Sequence, residues 1–390
     1  MKKLIVVGSL LWMSASSVLA LEVDREVMPR IQLGGRIMAS VDALDSDSDP
    51  AAESDLSLAD SSLLLRFDKR MYNESVAGAT VGITEDEDVA VFHQLNGFYW
   101  NRDFSVSIGR GRLHNTLLEL PLMRDDDLLD YTHMGNASSS TEFDQIFGEQ
   151  LAFDLFIDQK IQRFSMWAGI RRKGADPAFV ITQDGFNSAG FGYVYEQPEA
   201  LRFVKRLRHA GILLDAQEVK LTSGRDWLYA LIGGGEANLN IDPRHSWSLA
   251  GQAIMNQGIS GITAANVLHG ASNAVASRAA SESTSLVVSL RYTGRPKLLT
   301  RYQAGLTLAY KDYPDISDGR QWSVVSSAFH RLGQGVDLLA QLSYTDYGEG
   351  LGGGNDTVVQ VGMAFSFDAM FNDTIGQRDS ILNLEHGYIQ

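Results

Sequence analysis

The sequence predicts an all-β protein, a transmembrane antiparallel β-barrel of about 16 strands. Three observations carry this expectation: apolar and polar residues alternate with period two along most of the chain, the N-terminus has the build of an export leader, and the connections between alternating segments are short and long by turns.

The leader comes first. In MKKLIVVGSLLWMSASSVLA, two lysines precede an apolar run over 4–13, and small residues follow to Ala20, the expected cleavage point of a signal peptide spanning 1–20. The run is too short to cross about 30 Å of hydrocarbon, and the rest of the chain holds no apolar run long enough for a membrane-spanning helix, so full export is expected. Cysteine is absent, which excludes disulfides and thiolate metal sites. A net charge of −15 argues against nucleic acid as a partner. Glycine outnumbers proline 37 to 8, a balance that fits sheet better than disorder.

Strands are predicted at 30–43, 61–70, 76–84, 89–99, 103–110, 149–158, 161–172, 188–195, 212–221, 226–238, 245–256, 282–293, 298–311, 321–331, 336–347 and 357–368. In the first, Ile31, Leu33, Ile37, Ala39 and Val41 share one face while Gln32, Arg36, Ser40 and Asp42 share the other. LAFDLFID, SLVVSLRY and VDLLAQLSY repeat the pattern, and most segments approach the nine to eleven residues that a tilted spanning strand needs. An even count places both chain ends on one side of the membrane.

If the first strand runs outward, the turns at 72–75, 101–102, 158–160, 240–244, 294–297 and 332–335 are periplasmic. The longer connections 44–60, 111–148, 173–187, 257–281, 312–320 and 348–356 are then extracellular. Three segments break the rule: 85–88 and 222–225 are short, and 196–211 is too long for its place. A soluble β-sandwich would also alternate. It would not sort its loops this way, nor gather aromatics at strand ends as in Tyr99-Trp100, Trp227, Tyr292, Tyr302 and Tyr310.

The longest connection, 111–148, combines apolar stretches with Glu119, Asp125, Asp126, Asp127 and Asp130, alongside Arg124. Leucines and carboxylates together suit a segment folded into the barrel, leucines on the wall and carboxylates toward a channel. The alternative is an ordinary solvated acidic loop. By strand parity Arg36, Arg66, Arg163, Arg171, Arg291 and Lys311 point inward, so the expected constriction sets a basic wall against an acidic loop and favours polar solutes.

At this point the chain resembles the Gram-negative outer-membrane porin superfamily in leader, strand number and the long connection after the fifth strand. LNGFYWNRDFSVSIGRGRL is similar to the strand-turn-strand that leads into that connection in phosphate-selective porins, although the acidic loop departs from a phosphate-binding pattern. The resemblance implies an outer-membrane homotrimer passing small hydrophilic solutes and ions by diffusion, with no cofactor. Outer-membrane lipid and lipopolysaccharide would surround it.

Near the end stands QVGMAFSF, in which Gln360, Gly362, Phe365 and Phe367 resemble the β-signal by which the barrel-assembly machinery recognises a closing strand. The sequence then runs on through 369–390, read as a periplasmic tail to a barrel spanning 21–368; the competing reading closes the barrel with SILNLEHGYI instead. Other features carry less. GEGLGGGND lacks the helix and lysine of a phosphate loop and reads as a mobile hairpin. DSDSDP lacks an EF-hand order of ligands. PEALRFVKRLRH fits a short periplasmic helix or a basic strand lining the pore. No GxSxG or HxxxH occurs, so a barrel enzyme of phospholipase or protease type, or a closed anchor or export barrel, stands behind the porin expectation.

Overall fold

In the computed structural model, alternation resolves into β1 (Arg30–Ser46), β2 (Ser54–Ser57), β3 (Ser62–Arg70), β4 (Val76–Asp86), β5 (Val89–Trp100), β6 (Phe104–Arg112), β7 (Phe147–Ile157), β8 (Gln162–Ile170) and β9 (Ser188–Glu196). There follow β10 (Leu207–Leu221), β11 (Gly224–Asn238), β12 (His245–Gln257), β13 (Ser283–Lys297), β14 (Thr300–Asp312), β15 (Arg320–Gly333), β16 (Val336–Tyr347) and β17 (Asn355–Phe371). The structure describes residues 29–46, 54–57, 61–71, 74–86, 89–112, 117, 147–158, 161–170, 188–197, 206–221, 224–240, 242, 244–257, 282–297, 300–333, 335–351 and 353–371.

These strands form one antiparallel sheet in which each pairs with its neighbours in sequence, and β1 returns to β17 to close it. Closure leaves no sheet edge, the condition for a strand protein to survive in lipid, where an unpaired backbone group costs several kcal/mol. β2 and β3 lie along the same flank of β1 and act as one stave, so 17 segments make a barrel of 16.

The break in that stave is a bulge. β1 pairs Arg36 with Ser62 and Ser40 with Ser57, so the β2–β3 flank carries one residue more than β1 between these points. The Ser61 hydroxyl fills the gap: it accepts from the Met38 amide at 3.1 Å and donates to the Met38 carbonyl at 3.3 Å.

The outer face is apolar. Ile37, Phe67, Leu151, Met166, Phe191, Leu249, Leu286, Leu308 and Val361 are all exposed, as a surface built for lipid requires. Aromatic pairs border it. Toward the short turns these include Tyr99 with Phe104, Phe164 with Tyr193, Trp247 with Tyr292, and Tyr302 stacked on His330. Toward the long connections Trp322 lies against Tyr344 and donates to Asp346 at 2.8 Å. Trp100 departs from its expected place in this border: it pairs with inward Val76, so register turns it to the inner face while Tyr99 stays outside.

The short turns are built as expected. The Asn101 side chain accepts from the amides of Asp103 and Phe104, both at 2.8 Å, and Glu74 and Asp158 take φ of 64° and 52° at other turns. The connection at 196–211 is shorter than expected. β10 already begins at Leu207, so the connection shrinks to about 197–206, and β9 and β10 pair back to Glu196 and His209. A bulge between Leu207 and His209 had broken the alternation there and hidden the strand's start.

The stretch at 348–356 is packed rather than a free hairpin. A 3-10 turn at Glu349–Leu351 buries Leu351, the Glu349 amide donates to Asp318 at 3.0 Å, and the Gly348 amide donates to the Arg320 carbonyl at 2.8 Å. At the barrel's end β17 reaches Phe371, three residues past the expected boundary, because its extra residues pair with Leu33, Gln32 and Ile31. Residues 1–20 and 372–390 lie outside the described residues.

Candidate functional site

The inner face carries the polar chemistry. Arg36, Arg66, Arg163, Arg291 and Lys311 all lie on it, each alternating with an outward apolar neighbour such as Ile37, Phe67, Phe164 or Tyr310. Arg171 and the loop residues Glu119, Arg124, Asp125, Asp126, Asp127 and Asp130 lie outside the described residues.

The wall differs from the expected basic surface, because carboxylates share it. Asp68 accepts a hydrogen bond from Arg30 at 2.6 Å and forms an ion pair with Arg66, whose Nε lies 3.0 Å from its other oxygen. Arg66 also lies over the Phe98 ring, 4.6 Å from its centre, and a Cβ on Gly78 would reach that ring at 2.6 Å. The absent side chain at Gly78 is therefore what lets the ring lie flat beneath the guanidinium.

A second cluster has the same composition. Glu236 takes Arg208 on one oxygen at 2.6 Å and Arg291 on the other at 3.5 Å, and the Ser248 hydroxyl donates to it at 2.7 Å. The β10 bulge brings Arg208 here, letting it join His209 toward the interior. Both clusters sit toward the short-turn end, one on β1–β3 and the other on β10–β13, about half the barrel apart in strand order. Each sets two guanidinium groups on one carboxylate, and in each the nearer arginine lies at the 2.6 Å of a charge-assisted hydrogen bond.

Near the 332–335 turn, Arg331 and Asp337 form a neutral bidentate pair at 2.8 and 3.0 Å. Asp154 accepts from Ser105 at 2.7 Å and Ser165 at 2.6 Å, and Asp215 accepts from the Trp167 indole at 3.1 Å. From β12 to β17 hydroxyls and amides stand among the charged groups: Thr307 donates to Ser289 at 2.9 Å, Ser323 meets Thr345 at 2.8 Å, and Gln341 donates to Gln360 at 3.2 Å. Strand parity alone would have found Asp68, Glu236 and Asp337, since they share faces with the predicted arginines. Their partners lie on other strands, so no local pattern pairs them.

Leu117 is the described residue of the long connection, and it is buried on the inner face of the barrel. A Cβ on Gly211 would come within 2.6 Å of its terminal carbon, with Val194 beside it. Leu117 therefore lies against β9 and β10, where a glycine makes room for it. The inner wall is also closely covered: Leu64, Ile232, Ile254 and Leu339 face inward yet are only 1–2% exposed.

In QVGMAFSF, Gln360 and Gly362 face inward, Val361, Met363 and Phe365 face outward, and the strand closes the barrel on β1.

No family model matches the chain, and no curated protein matches it in sequence. Solved structures do. The anion-selective porin of Comamonas acidovorans superposes with a TM-score of 0.58 at 14% identity, covering 87% of this chain and 100% of its own. The fold is that of the outer-membrane porins. The outer-membrane channel DcaP of Acinetobacter baumannii superposes on the porin-type barrel at 0.59 and 11% identity, over 88% of this chain and 99% of its own. The loop-deleted OmpT of Vibrio cholerae, described as an outer membrane protein, does so at 0.59 and 9% identity, over 87% and 99%.

Proposed function

We propose that this chain is an outer-membrane porin, a channel for passive diffusion of small hydrophilic solutes and ions, assembled as a homotrimer. The observation that carries the reading is the division of one closed sheet into an apolar outer face bordered by aromatic pairs and an inner face of arginines, carboxylates, hydroxyls and amides. The chemistry of such a wall is ion and water passage, with no reacting group called for. Lipid and lipopolysaccharide meet the outer face, the barrel-assembly machinery takes the closing strand, and 372–390 forms a tail on the side of the short turns.

The 111–148 connection forms the constriction, rooted at Leu117 on the β9–β10 wall. Its carboxylates face Arg36, Arg66, Arg163 and Arg291, and its acidity tilts the pore toward cations and neutral solutes. Purified protein in a planar bilayer should give stepwise conductance, and a salt gradient should give a cation-directed reversal potential. A folded, heat-modifiable barrel without conductance would overturn the reading.

The burial of Leu64, Ile232, Ile254 and Leu339 on the inner face favours a second reading, a barrel whose lumen is filled and which serves as an anchor or export conduit. Under that reading the intact protein is silent, and conductance emerges when the 113–146 or 258–281 connection is deleted.

A further inference from the structure

At the short-turn end of β11 the outer wall carries a shallow groove with cations at its mouth, and we infer that it binds one anionic phospholipid. Arg206, Arg244 and His245 hold the phosphate, and an acyl chain lies along the strand. The inference rests on the lipid-facing outer surface and not on the channel reading.

The groove follows from parity on β11. Leu231 is exposed on the outer face and Ile232 is buried on the inner one, so Gly233, Gly235 and Ala237 are the next outward positions, and none carries more than a methyl group. The bare floor runs about 13 Å along the strand, close to the roughly 15 Å of one leaflet's hydrocarbon. Exposed Ile212, the register partner of Gly233, and exposed Leu249, the partner of Ala237, form its rims. A Cβ on Gly233 would meet nothing within 4 Å, so the floor there is open. At Gly235 a Cβ would meet the His209 carbonyl at 2.7 Å, so the bulged β10 itself keeps the floor bare.

The mouth is held by its backbone. The Asn238 amide donates to the Arg206 carbonyl at 2.6 Å and the Leu239 amide to the Trp247 carbonyl at 2.8 Å, which ties the ends of β10, β11 and β12 together. Asn240 clamps the turn, donating to the His245 carbonyl at 2.7 Å and accepting from the Trp247 amide at 2.6 Å. Arg206 and Arg244 are exposed on either side of β11, about 10 Å apart at two strand spacings. His245, also exposed, stacks on Tyr292 and meets its hydroxyl through Nδ1 at 2.7 Å, while Trp247 lies 5.0 Å from the same ring. When Tyr292 donates, the imidazole proton rests on Nε2 and is available to a phosphate oxygen.

Nearby carboxylates are turned elsewhere. Asp242 accepts from the Arg244 amide at 2.8 Å within its own turn, and Glu196 and Glu236 lie on the inner face, behind the sheet. In sequence, the 197–206 and 239–244 connections carry Glu199 and Asp242 against Arg202, Lys205, Arg206 and Arg244, and the neighbouring 294–301 stretch adds cations and no carboxylate. The mouth therefore favours an anion, and arginine meets phosphate through charge-assisted hydrogen bonds. A free phosphate would use the mouth alone. A phospholipid uses the mouth and the groove together, on a surface already facing lipid.

The test is native mass spectrometry of the full-length mature protein in neutral detergent, with phosphatidylglycerol and zwitterionic phosphatidylcholine added in equal amounts. Phosphatidylglycerol should be retained at one molecule per chain, in about tenfold preference. Arg206→Gln and Arg244→Gln should each lower that retention about fivefold and leave phosphatidylcholine unchanged. Gly233→Leu, which fills open space without meeting a neighbour through its Cβ, should lower retention of both lipids. Heat-modifiable migration shows that each variant is a folded barrel. Glycerol phosphate in excess should leave the bound lipid in place. Equal retention of the two lipids, indifference to the arginine variants, displacement by glycerol phosphate, or a preference for lipopolysaccharide would each overturn the inference. Retention is read without any current, so a silent barrel would remove the channel reading and leave this one standing.

Discussion

The ring of Phe367 lies over Gly35. Their Cα atoms are register partners between β17 and β1, and a Cβ on Gly35 would meet the ring at 2.6 Å. The last strand thus caps a gap in the first with an aromatic side chain, on the outer face of the seam where the two ends of the chain meet. Phe365 beside it, 6.4 Å away between ring centres, extends the cover.

Phe367→Ala is expected to destabilise the barrel by about 1 kcal/mol, the scale of a cross-strand pair, and Gly35→Ala by a similar amount because the ring must leave. The double variant should cost less than the sum of the two. Urea unfolding in detergent micelles checks all three.

Ser61 does the work of a missing ladder partner for Met38. Ser61→Ala should cost about 1–3 kcal/mol, since a donor and an acceptor lose their partner together. Ser61→Thr keeps the hydroxyl and should recover most of this. The same unfolding measurement, with amide exchange at Met38, distinguishes a local opening from global loss.

Glu236→Gln removes the carboxylate that Arg208 and Arg291 share, and both arginines are mostly buried. A loss of about 3 kcal/mol is expected, together with a reversal potential shifted toward anions. Arg208→Gln should be milder, because the Arg291 pair survives.

Leu117 packs where Gly211 has no side chain, so Gly211→Val should displace the root of the long connection; its Cβ would also meet the Tyr193 carbonyl at 2.8 Å, a clash that Leu117→Asp does not share. Single-channel conductance should rise in Gly211→Val and in Leu117→Asp. Unchanged conductance in both would separate this contact from the constriction.

Asp242 sits in a short turn outside the membrane span, and the Arg244 amide, donating to it at 2.8 Å, holds its carboxyl below the usual value of 3.8. A depressed folded value means that its support of the turn is complete above the ordinary carboxylate range and fades as pH falls through the folded value. A carboxyl-carbon NMR titration should place the midpoint below 3.8, and Arg244→Pro, which removes the donating amide, should return it toward that value.

Much of this architecture was legible in the chain. Every predicted strand exists, and the inward placement of Arg36, Arg66, Arg163, Arg291 and Lys311 followed from counting by twos. Errors fell where the backbone departs from two-residue rhythm. The β10 bulge concealed Leu207–His209, and the β1 flank splits where Ser61 intervenes. Docking of the 348–354 connection on Asp318 and Arg320 had no sequence signal, because a glycine-rich stretch looks the same packed or free.

Alternation along QVGMAFSF and its companions fixed which side chains meet lipid and which face inward, for that property is local to each strand. Which strand closes on which, that Asp68 and Glu236 each gather two arginines, and that Leu117 reaches Gly211 emerged with the closed sheet. Closure and stagger bring together residues far apart in the chain, and a period of two carries no information about that distance.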